Sequence, residues 1–362
     1  MTATVLALTA CSVADNGRAA SPPPLSSTSS PAGPPSDAAS PPTVTAAEDV
    51  STGLEVPWGL AFLPDGSALV SERITGRILR VQPDGVRQLL GTVPGVVAEG
   101  EGGLLGLAVP PGSGTAVYAY LTTDRDNRVV RIPLTGTGLG TPEPVLTGIP
   151  NGRIHNGGRI AFGPDGYLWV GTGETGNPDL AQDTGSLAGK ILRVRPDGTV
   201  PVDNPFPGSP VWSYGHRNVQ GLAFDAAGRL WASEFGSSKF DELNLVQRGR
   251  NHGWPVVEGV GGDERFVDPE VTWPTADASP SGLVIVDDVA YLAALRGQRL
   301  WQVPLVDGRA RAPRAWLSGQ LGRLRTLAAA PDGSLWVATS NRDGRGTPRA
   351  GDDRIVRLDL SG

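Results

Sequence analysis

Residues 151–174 read NGRIHNGGRIAFGPDGYLWVGTGE. Two short apolar runs, 160–162 and 167–170, flank Gly163-Pro164-Asp165-Gly166, a strong hairpin signal. His155 falls in the glycine-rich loop that leads into this hairpin, and Glu174 lies just past its exit. The chain has only three histidines, so one placed in such a loop is a candidate for proton chemistry.

The hairpin recurs: GLAFLPDGSALVSER (59–73), LGLAVPPGSGTAVYAYLT (105–122), GLAFDAAGRLWASEFG (221–236), SGLVIVDDVAYLAAL (281–295) and TLAAAPDGSLWVATSN (326–341). A third strand follows several of them, as in GRILRV (76–81), GKILRV (189–194), QRLWQV (298–303) and DRIVRLDL (353–360). Six such units predict an all-β protein, a six-bladed β-propeller with four-stranded antiparallel blades. The extended segment before Val56 is expected to pair into the last blade and fasten the ring. Fifty glycines and 33 prolines suit many short strands and tight turns.

Residues 49–362 are assigned to the propeller. Residues 12–48, rich in Pro, Ser and Ala, read as a disordered tether. Residues 1–11 end in Leu8-Thr9-Ala10-Cys11, which is similar to a bacterial lipobox, although no Lys or Arg precedes the apolar run. A lipid on Cys11 would hold the protein at the outer face of the cell membrane, in an extracytoplasmic location. With one cysteine, no intrachain disulfide can form. A net charge of −6 offers no basic footprint for nucleic acid.

In each blade the residue after the second strand should face one mouth of the channel. Glu72, Glu174, Glu234 and Asn341 hold that place, a ring of groups that could meet a ligand or cation. Arg217 and Asn218 precede one inner strand, Arg323 and Arg325 another, and Arg296 follows a second strand. Converging guanidinium groups call for a small anion carrying carboxylates or phosphates. The loop after Phe235 could turn backbone carbonyls towards calcium.

From about Glu55 to Leu360 the chain resembles the soluble aldose (glucose) dehydrogenases that use pyrroloquinoline quinone (PQQ). The resemblance rests on PWGLAFLPDG (57–66), GEGGLLGLAV (100–109), GRIHNGGRIAFGPDG (152–166), GTGETGN (171–177), AQDTGSLAGKILRV (181–194), DNPF (203–206), WSYGHRNVQGL (212–222), DELNLVQRGRNHGWP (241–255) and GRLRTLAAAPDG (322–333), all in one order. It implies PQQ and Ca2+ as cofactors and an aldose oxidised at its anomeric carbon to a lactone. Electrons would pass to a cytochrome or quinone carrier. His155 is implied as general base and cofactor contact, with Glu174 orienting it and Arg217 and Asn218 beside the quinone carbonyls. Arg296, Arg323 and Arg325 are implied to hold the cofactor's carboxylates, the first where lysine is common. The backbone oxygens of Gly236 and Ser237 are implied calcium ligands. Glu101 falls near the quinone where glutamine is usual, and its charge would oppose an anionic cofactor unless it is protonated or meets the calcium. Ser237, Phe235 and Thr326 replace a usual proline, glutamine and aspartate. Two rivals follow: a non-catalytic propeller that binds carbohydrate or protein, and a calcium-dependent lactonase, which would need an acidic cluster around its metal.

Overall fold

Asp165 and Gly166 show why the hairpin forms. The Asp165 carboxylate accepts the Tyr167 N–H, and Gly166 takes a φ of 75°, where a side chain is disfavoured. Ile160 then pairs with Val170, and Phe162 with Leu168. The structure, a computed structural model, describes residues 42–361 apart from Thr137. Cys11 and most of residues 12–48 lie outside the described residues.

The strands form six antiparallel sheets, each starting on its inner strand and stepping outward along the chain, except for the outermost strand of the last. Blade one covers 57–92, blade two 104–149, blade three 160–214, blade four 219–274, blade five 280–316 and blade six 324–361. Each inner strand touches the next, and Pro57–Phe62 meets Leu324–Ala329 to close the ring. Blade six takes its outermost strand from Thr43–Ser51, with Val44 opposite Leu360 and Glu48 opposite Arg357. The sheet thus begins six residues before residue 49. The proline-rich run ends at Pro42, and without Thr43–Ser51 the outer edge of Ile355–Ser361 would lack a partner.

Apolar residues gather in six clusters, one in each gap between blades. Leu69 and Ile78 of blade one meet Leu104 and Val117 of blade two; Leu60 and Val70 meet Trp336 and Ile355 of blade six. Packing therefore joins blade to blade, while the channel is left to polar side chains. The four glycines Gly59, Gly106, Gly221 and Gly282 hold one repeat position at the inner strands. A Cβ at any of them would come within 2.2–2.7 Å of a neighbouring strand or side chain. Two blades break this rule, with Arg159 in blade three and Thr326 in blade six.

Candidate active site

The four groups after the second strands turn out to do two different jobs. Glu72 accepts the Glu55 N–H, Glu234 the Arg217 N–H and Asn341 the Arg323 N–H. In three blades the group thus ties down the chain entering the inner strand, rather than joining a ligand-binding ring. In blade three the matching N–H, that of His155, goes to Glu101 instead, and Glu174 reaches the His155 ring, its Oε1 2.6 Å from Nδ1. Glu174 is buried, and the His155 side chain keeps 12% exposure. No hydrogen bond to His155 Nε2 occurs among the described residues, so that nitrogen is uncommitted while Glu174 holds the other.

His155 has a φ of 53°, a strained value for a residue with a side chain. Its N–H is held by Glu101 Oε2 at 2.9 Å, and Glu101 Oε1 accepts from Arg345 at 2.8 Å. Burial pushes the Glu101 carboxyl up, but the His155 N–H and Arg345 outweigh it and hold it below the usual range. Glu101 is therefore ionised, with its charge already met by Arg345.

Beside this pair lies a hollow that opens to solvent, lined by Trp58, Arg73, Glu101, Gly157, Gln220, Phe235, Arg325, Asp343 and Arg345 among others. Arg325 is buried and donates to Gln220 Oε1 at 3.1 Å; Gln220 and the Gly157 N–H both bond Asn218 Oδ1. Arg217 reaches the hollow's wall through the carbonyl of Phe235, at 3.3 Å. Arg323 is already engaged with Asp343 at 2.8 Å, while Arg325 stands 4.0 Å from the same carboxylate. Arg296 is exposed after the second strand of blade five; of the expected site residues Glu101 and Arg325 line the hollow, and His155, Arg217, Asn218, Arg296 and Arg323 do not.

Sequence reasoning missed Arg73, Arg159, Trp58 and Arg345. Arg159 sits where other blades carry glycine, and that misfit in the repeat was the available signal. Its guanidinium stacks 4.3 Å from the Trp58 ring and donates to Thr326 Oγ1 across the channel. Burial, then Arg325, lowers Arg159 to about 9; burial, with Arg73 and Arg323 nearby, lowers Arg325 to about 9. Arg159 Nη2, Arg217 Nε, Arg325 Nε and Asn218 Nδ2 are buried without a partner. Buried cations and donors left in this state define a site that attracts an anion.

Behind Arg217, His216 Nδ1 lies 2.8 Å from Glu234 and Nε2 2.8 Å from Ser213 Oγ. The order resembles a hydrolase triad, yet Ser213 and His216 are wholly buried, so the trio supports Arg217 and meets no substrate. Burial, then Lys190, lowers His216 to about 3. Unfolded, the ring binds a proton below about 6.5, and folded it does not until about 3, so its contribution to stability is lost as pH falls through that window. The stability gap between wild type and His216→Asn is therefore expected to narrow by about 2 kcal/mol from pH 7 to pH 5. Urea unfolding at both pH values checks this; a constant gap would mean that His216 takes up its proton alike in the folded and the unfolded chain.

The loop after Phe235 is held from behind. Gly236 N–H donates to Asp241 at 2.9 Å, and the N–H groups of Ser237, Ser238, Lys239 and Phe240 all donate to Glu258 Oε1, at 2.6–3.2 Å. Among the described residues nothing donates to the carbonyls of Gly236 or Ser237, and no cluster of three or more His, Cys, Asp or Glu side chains could hold a metal. The second fact weighs against the acidic metal cluster that a lactonase would need.

Compared with known proteins, residues 54–351 match the family described as glucose/sorbosone dehydrogenase. The solved PQQ-bound aldose sugar dehydrogenase of Streptomyces coelicolor is 52% identical, covering 88% of this chain and 100% of its own, with a TM-score of 0.85. The aldose sugar dehydrogenase YliI of Escherichia coli is 29% identical over 80% of this chain and 89% of its own length. Quinoprotein glucose dehydrogenase B of Acinetobacter calcoaceticus is 34% identical over 60% of this chain and 54% of its own.

Proposed function

Because the chain belongs to the glucose/sorbosone dehydrogenase family, an oxidoreductase family, we propose that it oxidises an aldose at the anomeric carbon to a lactone with PQQ as acceptor. The observation that carries this reading is a His155 imidazole backed by Glu174, its residue joined through the backbone N–H to Glu101, on the wall of a hollow that Arg73 and the buried, partly unpaired Arg325 also line. The donor set fits an anion with several carboxylates: Arg325, Arg217 and Asn218 have unmet donors, and Arg73 lines the same wall. Arg323 would serve less directly, by engaging Asp343 at 2.8 Å while Arg325 stands 4.0 Å from it.

PQQ, when bound, supplies an acceptor for the hydride leaving the anomeric carbon. His155 takes the anomeric hydroxyl proton on Nε2, and Glu174 stabilises the imidazolium that results. The Glu101 contact fixes the backbone that aims the ring, and Phe235 and Trp58 shape the walls. The uncommitted carbonyls of Gly236 and Ser237 fit calcium, a hard cation that takes oxygen ligands and would bring positive charge to the hollow's edge. Electrons then leave to a cytochrome or quinone carrier.

Titrating the protein with PQQ and calcium, then following aldose-dependent dye reduction, tests this reading. Saturable binding with sugar-dependent turnover is expected; binding with no turnover on any aldose would leave only a ligand-binding propeller. We also infer a lipid on Cys11 that tethers the protein outside the cell. Cys11→Ser is then expected to move it from the membrane to the soluble fraction, and unchanged membrane recovery would rule the anchor out.

A further inference from the structure

Glu258 lies outside every motif that pointed to the site, yet one of its oxygens accepts four consecutive backbone N–H groups, from Ser237 to Phe240. Those bonds outweigh the burial that would push its carboxyl up, and hold it below the usual range. A trans peptide unit carries its N–H and C=O in opposite directions. The unit that gives the Ser237 N–H to Glu258 also contains the Gly236 carbonyl, and the unit that gives the Ser238 N–H contains the Ser237 carbonyl. The cis peptide bonds of the described residues are elsewhere, at Trp254-Pro255 and Asp352-Asp353. Both carbonyls therefore point away from Glu258, and among the described residues nothing donates to either.

Gly236 allows the turn to be this tight, because a Cβ there would lie 1.7 Å from the Phe240 carbonyl oxygen and 2.8 Å from Glu258. The preceding unit is turned by Asp241 on its N–H side and Arg217 on its carbonyl side.

We propose that Glu258 is the positioning residue of the cation site: its carboxylate gathers the N–H ends of the loop and so presents the Gly236 and Ser237 carbonyls to calcium. A negative charge on the N–H side also polarises the same peptide units, making their carbonyl oxygens stronger ligands. The inference rests on the calcium reading of this loop and adds to it a residue that touches no metal.

The test is calcium titration by calorimetry, with and without PQQ, on wild type, Glu258→Gln and Glu258→Ala, together with the melting temperature of each at zero and saturating calcium. Removing a partner behind a metal ligand commonly costs about 10- to 100-fold in affinity. Glu258→Gln, which keeps an acceptor oxygen and loses the charge, is expected near the lower figure, and Glu258→Ala near the upper. The calcium-induced rise in melting temperature should shrink in the same order. A merely structural role would lower the calcium-free melting temperature and leave calcium affinity intact, and that result would overturn the proposal. If wild type itself binds no calcium, the cation reading fails, and the role of Glu258 with it. If wild type binds and both variants match it within twofold, only the role of Glu258 fails.

Discussion

Turnover of an aldose by His155→Gln is expected to fall about 100- to 10,000-fold, the range a positioned general base contributes. Glutamine can keep a hydrogen bond to Glu174 and fill similar space, but its amide cannot take a proton near neutral pH. The backbone should also hold, because the Glu101 bond is to the His155 N–H and not to its ring. The buried donors that favour an anion belong to Arg159, Arg217, Asn218 and Arg325, so PQQ affinity should change little. Steady-state kinetics alongside a PQQ titration separates the two effects. A variant within tenfold of wild-type turnover would remove the base assignment.

Arg325→Met is expected to move two measurements in opposite directions. Truncating one partner of a buried, hydrogen-bonded charge pair costs about 2–5 kcal/mol, so PQQ affinity should drop roughly 30- to 4,000-fold. The empty protein, by contrast, should melt at a higher temperature. Its Arg325 is a buried cation with an unmet Nε and a carboxylate no nearer than 4.0 Å; burial and the charges of Arg73 and Arg323 lower it, and it in turn lowers Arg159. Replacing such a charge by an apolar side chain of similar volume is often neutral or stabilising. Weaker PQQ binding with a lower melting temperature would mean that Arg325 holds the blades together. Unchanged affinity would place the anion cradle elsewhere.

The departures at Glu101 and Thr326 read differently once the chain is folded. A carboxylate near an anionic cofactor looks adverse in the sequence, but Arg345, 244 residues away, meets its charge. Thr326 supplies the oxygen that receives Arg159 from across the channel. Neither partner was visible beforehand, because each contact crosses between blades far apart in the chain.

The repeat, its turns and the place of His155 were legible from residues 50–360, and the closing strand from the extended segment before Val56, since strand alternation and Asp-Gly turns are local properties of the chain. The same local reasoning treated Glu72, Glu174, Glu234 and Asn341 as equivalents, and gave Arg296 the same standing as Arg325. Tertiary structure separated them. Whether a carboxylate ties a backbone amide or orients an imidazole, and whether a guanidinium is buried over Trp58 or left in solvent, depends on which neighbour the closed ring brings within about 3 Å, the reach of a hydrogen bond. That distance is set by the packing of six blades and has no signature in any one of them.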